Sequence, residues 1–298
     1  MACIRAIVSV IGRDQKGVVA RFATYMAQHG VNIQDIQQQV VHGHFIMDML
    51  VDLAELSIRL DQLIPDLMKL GQKVDMQVRV ALRQQSRTKK IAVLVSKEPQ
   101  CLQRLIDDQT TGCFHQRGEI VCVLANHSDL EPIAKNAGLP FDWNPSTDKP
   151  AHMRWLLEAL TDRYQVDLVV LARYMQVLTA DVVGAFPNRI INIHPSLLPY
   201  FPGAAPYKQA YENGVRVTGC TAHFVTESLD EGPIIIQDVF HIDVGKDTAA
   251  DVKAKGQLLE ANILSQSIQM FLDEKLVVVD DKVVFRPGLS MFLDHQSD

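Results

Sequence analysis

The chain has 298 residues, of which 47% are hydrophobic and 21% charged, a soluble globular balance whose length favours two domains with separate cores. The formal charge of −6 argues against a large nucleic-acid interface, so we expect no nucleic-acid partner. The chain has no signal-peptide pattern, no apolar run long enough to span a bilayer and five scattered cysteines without a C-x-x-C pair, which favours a cytoplasmic protein with reduced thiols and no membrane partner.

Residues 1–83 follow the order βαββαβ, which is typical of a ferredoxin-like domain. Alternating apolar residues predict strands at 3–11, 32–41, 44–53 and 76–82. Apolar residues at helical spacing predict one helix that ends at Gly30 and a second over 56–70 that ends at Gly71. We therefore predict a first α/β domain over 1–83.

This first domain resembles an ACT domain. The resemblance rests on the turn Gly12–Gly17 before the first helix and on Gly30-Val31-Asn32-Ile33 after it. It implies side-by-side pairing into a homo-oligomer and an amino-acid effector, with glycine and methionine as opposing regulators. A purely structural dimerisation module is the alternative, because ferredoxin-like units bind many different ligands.

The pattern changes after a polar, basic segment, 84–90, which we predict to be a linker. In 91–298, continuous apolar strands alternate with helices, as in a mostly parallel, Rossmann-like sheet covered on both faces. The predicted strands are 91–95, 120–124, 168–172, 190–193, 219–226 and 233–240. The predicted helices lie near 99–109, 129–137, 150–164 and 248–272, and a hairpin over 276–285 follows.

The most informative segment is INIHPSLLP at 191–199, which is followed by LDEGPII at 229–235. Side chains alternate along a strand, so Asn192 and His194 can point to the same face, at the strand end where open α/β sheets bind ligands. Asp230 lies in the turn after the next predicted strand. An amide, an imidazole and a carboxylate in this arrangement can stabilise an oxyanion and move a proton at a carbonyl carbon.

These motifs resemble the transformylases that use formyltetrahydrofolate, over about residues 88–285. The resemblance implies that Asn192, His194 and Asp230 are catalytic. Asn192 and a protonated His194 would donate to the oxyanion, and Asp230 would orient His194 and favour its charged form. His223 is expected nearby on the neighbouring strand. No metal-binding motif accompanies the two histidines, so we expect no metal site.

The resemblance also implies a slot for the pteridine ring of the folate. The loop after strand 168–172 would wrap the ring, and residues 225–230 would form the opposite wall. The expected binding residues are Leu171, Met175, Gln176, Val177 and Leu178, with Val183 behind them, and Val225, Thr226, Glu227 and Leu229. Ordinary core packing is the alternative for the apolar members. No cofactor is expected, since the folate is the substrate.

The nucleophile is suggested by the segment Ser96-Lys97-Glu98-Pro99. Amine-formylating relatives have a Gly-rich loop here, whose backbone N–H groups hold the phosphate of a nucleotide substrate. This segment has no glycine and carries a Glu and a Pro, so it would hold a phosphate poorly. Water then becomes the natural nucleophile.

An ACT domain followed by this catalytic domain resembles the formyltetrahydrofolate deformylases, as does Asn126-His127-Ser128-Asp129. The resemblance implies hydrolysis of 10-formyltetrahydrofolate to formate and tetrahydrofolate. Two alternatives stay open, namely formyl transfer to an amine acceptor and a non-catalytic amino-acid sensor. One departure is Asp243-Val244-Gly245, where the deformylase pattern has a His.

Overall fold

The computed structural model describes residues 5–82, 88–114, 117–200 and 205–285, which form two compact units. The described residues of the first unit are 5–82, 274–279 and 284–285; those of the second lie within 88–273 and 280–283. Residues 84–87 of the predicted linker lie outside the described residues. Residues 274–279 group with the first unit, although the sequence analysis assigned 91–298 to one domain; the domain boundaries stay a prediction.

The first unit is a four-stranded antiparallel sheet with two helices, in the predicted order βαββαβ. Its elements are β1 (Arg5–Arg13), α1 (Val18–Gln28), β2 (Asn32–Val41), β3 (His44–Asp52), α2 (Leu60–Gln72) and β4 (Met76–Leu82). The sheet order is β2-β3-β1-β4. Phe22 and Met26 of α1 and Leu63 and Leu67 of α2 share one buried core with the strands, as their helical spacing predicted. The ferredoxin-like fold is confirmed.

The second unit is built on a seven-stranded sheet of order β11-β10-β9-β8-β5-β6-β7. Five strands are parallel, namely β5 (Lys89–Val95), β6 (Gly118–Ala125), β7 (Phe141–Trp143), β8 (Leu168–Ala172) and β9 (Ile190–His194). The last two, β10 (Val217–Phe224) and β11 (Ile234–His241), are antiparallel to their neighbours. The mostly parallel, Rossmann-like domain is thus confirmed, and the carboxyl ends of β5, β8 and β9 meet at one edge of the sheet.

The helices of this unit are α3 (Gln100–Thr110), α4 (Glu131–Asn136), α5 (Lys149–Glu158), α6 (Ala180–Ala185), α7 (Pro206–Glu212) and α8 (Ala249–Leu272). A π-helical turn, Ala159–Arg163, continues α5, and a hairpin of β12 (Leu276–Val279) and β13 (Lys282–Phe285) follows α8. Strand β7 and helices α6 and α7 were not predicted, because elements this short do not establish a period. Within the described residues, no helix is both long and apolar enough to cross a membrane.

Three cysteines of this unit, which we call the buried thiols, are Cys101, Cys122 and Cys220. Burial raises the pKa of each of them, because a thiolate is poorly solvated in an apolar interior. Cys113 is partly exposed and free.

Candidate active site

Asn192 and His194 lie at the end of β9, with one residue between them. Because β10 pairs antiparallel with β9, His223 lies directly opposite Asn192, and Asn192 Nδ2 is 3.2 Å from His223 Nε2. His223 Nδ1 is 2.9 Å from the backbone oxygen of Phe224, which only accepts hydrogen bonds. In the neutral ring Nδ1 therefore carries the proton, and Nε2 accepts from the Asn192 amide. This pairing orients the amide at the strand end.

The Asp230 carboxylate lies between two imidazoles. Its Oδ2 is 3.2 Å from His194 Nδ1, and its Oδ1 is 3.6 Å from His223 Nε2. The hydrogen bond from His194 holds the pKa of Asp230 well below its usual range, and the nearby His223 ring lowers it further, although burial opposes this shift. Asp230 is therefore ionised throughout the neutral range.

The turn that presents Asp230 explains the spacing of its motif. Asp230 has a φ of 56°, in the left-handed region that Asp tolerates better than most residues. At Gly232, a Cβ atom would lie 1.8 Å from the backbone oxygen of Phe224, so only glycine fits there. The sequence L-D-x-G thus encodes a tight return from β10 that brings the carboxylate back to the histidines.

His194 offers one further contact. Its side chain is buried, and its Nε2 has no hydrogen-bond partner among the described residues. Leaving a buried polar atom unpaired costs about 1–3 kcal/mol. A substrate oxygen that accepted a hydrogen bond from this nitrogen would remove that cost.

A cavity of about 360 Å³ opens beside these groups. It is lined by every predicted folate-binding residue except Val183: Leu171, Met175, Gln176, Val177, Leu178, Val225, Thr226, Glu227 and Leu229, together with Asn192, His194 and Asp230. Met175 and Leu229 are 67% and 66% exposed, which core side chains are not, so these two favour a ligand-binding wall over core packing. Val183 is buried in the core against which Leu178 packs, and it does not line the cavity.

Hydrogen bonds hold the loop after β8 in place. Ser96 Oγ, at the end of β5, donates to Asn126 Oδ1 at 2.7 Å and accepts from the backbone N–H of Met175 at 2.9 Å. The next anchor is the Tyr174 hydroxyl, which is hydrogen-bonded to Nε2 of the fully buried His152. The wall of the cavity is therefore preorganised by contacts to the end of β5 and to α5.

A partly buried ion cluster adjoins the cavity, and sequence reasoning missed it. Arg173 Nε is 2.9 Å from Glu98 Oε2 and 3.4 Å from Glu260 Oε2, and Lys253 Nζ is 3.0 Å from Glu98 Oε1. Glu98 was expected to make the segment a poor phosphate site, but its charge is paired with Arg173 and Lys253. A signal existed at Glu260, which has Gly256 and Leu264 four residues away on either side and so lies on the core-facing side of α8.

Comparison with known proteins places this geometry in a family. Residues 5–81 match the ACT domain family, and residues 89–268 match the formyl transferase family. The formyltetrahydrofolate deformylase of Bacillus subtilis (strain 168) is 37% identical over 275 residues, which are 91% of this chain and 90% of that protein. The chain belongs to the formyltetrahydrofolate deformylase family. It is an enzyme of this deformylase type, and the predicted pairing of an ACT domain with a formyltransferase domain is confirmed.

Solved structures agree with membership in the deformylase family. The formyltetrahydrofolate deformylase from Pseudomonas syringae has a TM-score of 0.84 at 29% identity, and the match covers 96% of each chain. Glycinamide ribonucleotide transformylase 1 from Symbiobacterium toebii has a TM-score of 0.62 at 38% identity and covers 68% of this chain and 96% of its own.

Val244, the departure from the deformylase pattern, is exposed and does not line the cavity.

Proposed function

We propose that the protein hydrolyses 10-formyltetrahydrofolate to formate and tetrahydrofolate, with Asn192, His194 and Asp230 as its catalytic residues. The observation that carries the proposal is the Asp230 carboxylate, held 3.2 Å from His194 Nδ1 beside an apolar cavity. The volume of that cavity, about 360 Å³, lies within the range of small-molecule sites. Among the described residues, no cluster of three or more His, Cys, Asp or Glu side chains is arranged to hold a metal ion.

The chemistry needs an oxyanion site. A water oxygen adds to the formyl carbon, the C–N bond then breaks, the nitrogen takes up a proton and formate leaves. Addition places negative charge on the formyl oxygen. Asn192 has a second amide N–H besides the one directed at His223, so it can donate to this oxygen. His194 Nε2 has no partner among the described residues and can donate as well when both ring nitrogens carry a proton. Each donor contributes on the order of 10²–10³ in rate.

Asp230 has two tasks in this scheme. Its carboxylate is ionised and faces His194 Nδ1, so it keeps the ring oriented and balances positive charge on it. Each carboxylate oxygen also has a lone pair that is not directed at a histidine, so Asp230 can hold the attacking water and take up its proton.

The pteridine ring of the folate substrate fits the slot between the loop after β8 and residues 225–229. Met175, Val177 and Leu229 offer exposed apolar surface to the ring faces. In this proposal, backbone groups of the loop would pair with the polar ring edges. Because Ser96 and Tyr174 anchor this loop, the folate meets a wall that needs little reordering.

Regulation and location belong to the proposal as well. The ACT domain favours an amino-acid effector, for which glycine and methionine are our candidates, and a homo-oligomer formed through paired ACT domains. A cytoplasmic location agrees with free thiols at Cys101, Cys113, Cys122 and Cys220.

The decisive experiment follows formate and tetrahydrofolate together, starting from 10-formyltetrahydrofolate, with and without amine acceptors. Equal amounts of both products without any amine support hydrolysis. A formylated amine in place of formate would support the transferase alternative. Amino-acid binding without turnover of the folate would support the sensor alternative. The Asn192→Ala variant is the control for background hydrolysis.

A further inference from the structure

Arg173 stands between two neighbouring cavities. One is the proposed folate site, and the other, of about 350 Å³, is lined by Ser96, Lys97, Glu98, His127, Arg173 and Met175. The two cavities share Arg173 and Met175, so these residues form the partition between them. The Met175 backbone is held to Ser96 and its side chain is 67% exposed, whereas the Arg173 side chain is mostly buried, so Arg173 is the fixed part of the partition.

The guanidinium of Arg173 is clamped in place. It pairs with Glu98 on one side and with Glu260 on the other, at 2.9 and 3.4 Å. The Arg173 side chain is 17% exposed and that of Glu260 is 1% exposed, so this pairing lies mostly out of water. Arg173 also has a φ of 62°, a left-handed conformation that is unfavourable for an arginine and that the surrounding contacts maintain.

The charges of the cluster balance one another. Burial would raise the pKa of Glu98, but Arg173 and Lys253 outweigh it and lower that pKa; burial raises the pKa of Glu260 in spite of Arg173. Two carboxylates and two cations face one another, so Arg173 is not a free charge that could attract a substrate phosphate. Its position, rather than a net charge, is what the cluster provides.

Helix α8 carries two members of the cluster, Lys253 and Glu260. The Tyr207 ring packs on Gly256, where a Cβ atom would lie 2.2 Å from Tyr207 Cζ. Glu260 is one turn further along α8 on the same face, and Lys253 is one turn before Gly256. Both oxygens of Glu260 lack a hydrogen bond within the described residues, so Arg173 is the cation that compensates this buried carboxylate.

We infer that Arg173 is a specificity-determining residue, which closes the formyl side of the site toward the neighbouring cavity and so excludes amine nucleophiles while admitting water. The inference rests on the proposed hydrolase function and deepens it. A water molecule is small enough to enter beside a clamped guanidinium, whereas an amine acceptor would have to displace it from two carboxylates.

The test measures how the formyl group partitions between two nucleophiles. Hydroxylamine, which is uncharged at neutral pH, serves as the small probe and glycinamide as the larger one. In the transfer reaction the amine nitrogen bonds to the formyl carbon, the bond to the folate nitrogen breaks, and the proton lost by the amine ends on the folate nitrogen. We expect Arg173→Ala to raise the ratio of formylated amine to formate at least tenfold over the wild type.

Two matched variants serve as controls. Arg173→Lys keeps a long cation in place, and Lys253→Ala removes only the outer end of the cluster, so both should release formate alone. Arg173→Ala alone leaves the buried Glu260 carboxylate without its cation. If that variant does not fold, the double variant Arg173→Ala with Glu260→Gln removes this charge and is used in place of the single variant.

Three results would overturn the inference. They are a folded Arg173→Ala variant that still yields only formate, one that turns over neither nucleophile, and a wild type that formylates the probes equally well. Failure of the proposed function is distinguishable, since a wild-type protein that releases no formate in water alone would refute the hydrolase itself, whatever Arg173 does.

Discussion

Replacing Asp230 with Asn removes the central charge of the proposed site and little else. Asn has nearly the same shape, and it tolerates the left-handed backbone that Asp230 adopts at a φ of 56°. At 3.2 Å from His194 Nδ1, the attraction between unit charges is about 5 kcal/mol for an effective dielectric constant of ~20. Desolvation and the remaining amide dipole offset part of this. We expect a net loss of about 3–5 kcal/mol in the transition state, or roughly 10²–10⁴-fold in kcat.

The assay follows formate release, with kcat and KM measured separately, and folate binding measured by calorimetry. Binding should change little, because the apolar walls around Met175 and Leu229 are untouched. The matched control is Glu231→Gln, which removes an exposed charge from the same turn and should keep full activity. A rate for Asp230→Asn within tenfold of the wild type would refute the assigned role.

The same substitution has a signature in stability. The pKa of Asp230 in the folded protein lies below its value of about 3.9 in the unfolded chain. The ionised carboxylate therefore stabilises the folded state above about pH 3.9, and this stabilisation is lost as the pH falls through the folded pKa. The wild type should therefore exceed Asp230→Asn in free energy of unfolding at pH 6, and the difference should shrink steadily below about pH 4. Urea titrations at several pH values measure this difference, and a constant gap would contradict the pairing with His194.

Three further predictions concern the scaffold. Deleting 1–83 should leave a folded domain that binds folate but has lost amino-acid sensitivity and part of its oligomer contacts; a fragment that fails to fold would refute the boundary. Tyr174→Phe should lower the free energy of unfolding by about 1–2 kcal/mol in urea denaturation, because it leaves buried His152 Nε2 unpaired; a change below about 0.3 kcal/mol would contradict this. Iodoacetamide at pH 8 should label Cys113 well before the buried thiols, as mapped by mass spectrometry, and equal labelling would contradict their burial.

Local patterns were enough to predict much of this fold. The alternation in 191–194 placed Asn192 and His194 on one face, because the period of a strand is a property of the strand alone. Helical spacing likewise predicted one apolar face on α1 and on α2, and these faces form part of the core of the first unit. The turn at Asp230 was predictable because Gly232 and Pro233, two residues that favour turns, separate the apolar runs on either side.

What the sequence could not supply depends on which strands are neighbours. His223 was expected near the site, but its place directly opposite Asn192 depends on β10 joining β9 in antiparallel register, which no local pattern specifies. The cluster of Glu98, Arg173 and Glu260 joins a loop after β5, a loop after β8 and a helix far along the chain. Glu98 and Arg173 alone look like ordinary surface charges, Glu260 differs only by its place on the apolar face of α8, and tertiary packing alone brings the three together.

The central claim is that water is the nucleophile, and isotope-labelled water tests it most directly. Wild-type protein is incubated with 10-formyltetrahydrofolate in H₂¹⁸O, and formate is analysed by mass spectrometry while tetrahydrofolate is followed in parallel. Our account predicts one ¹⁸O atom per formate and one formate per tetrahydrofolate, unchanged when glycinamide ribonucleotide is added. Loss of the labelled formate on that addition, with formylated nucleotide appearing at the rate of folate consumption, would contradict it.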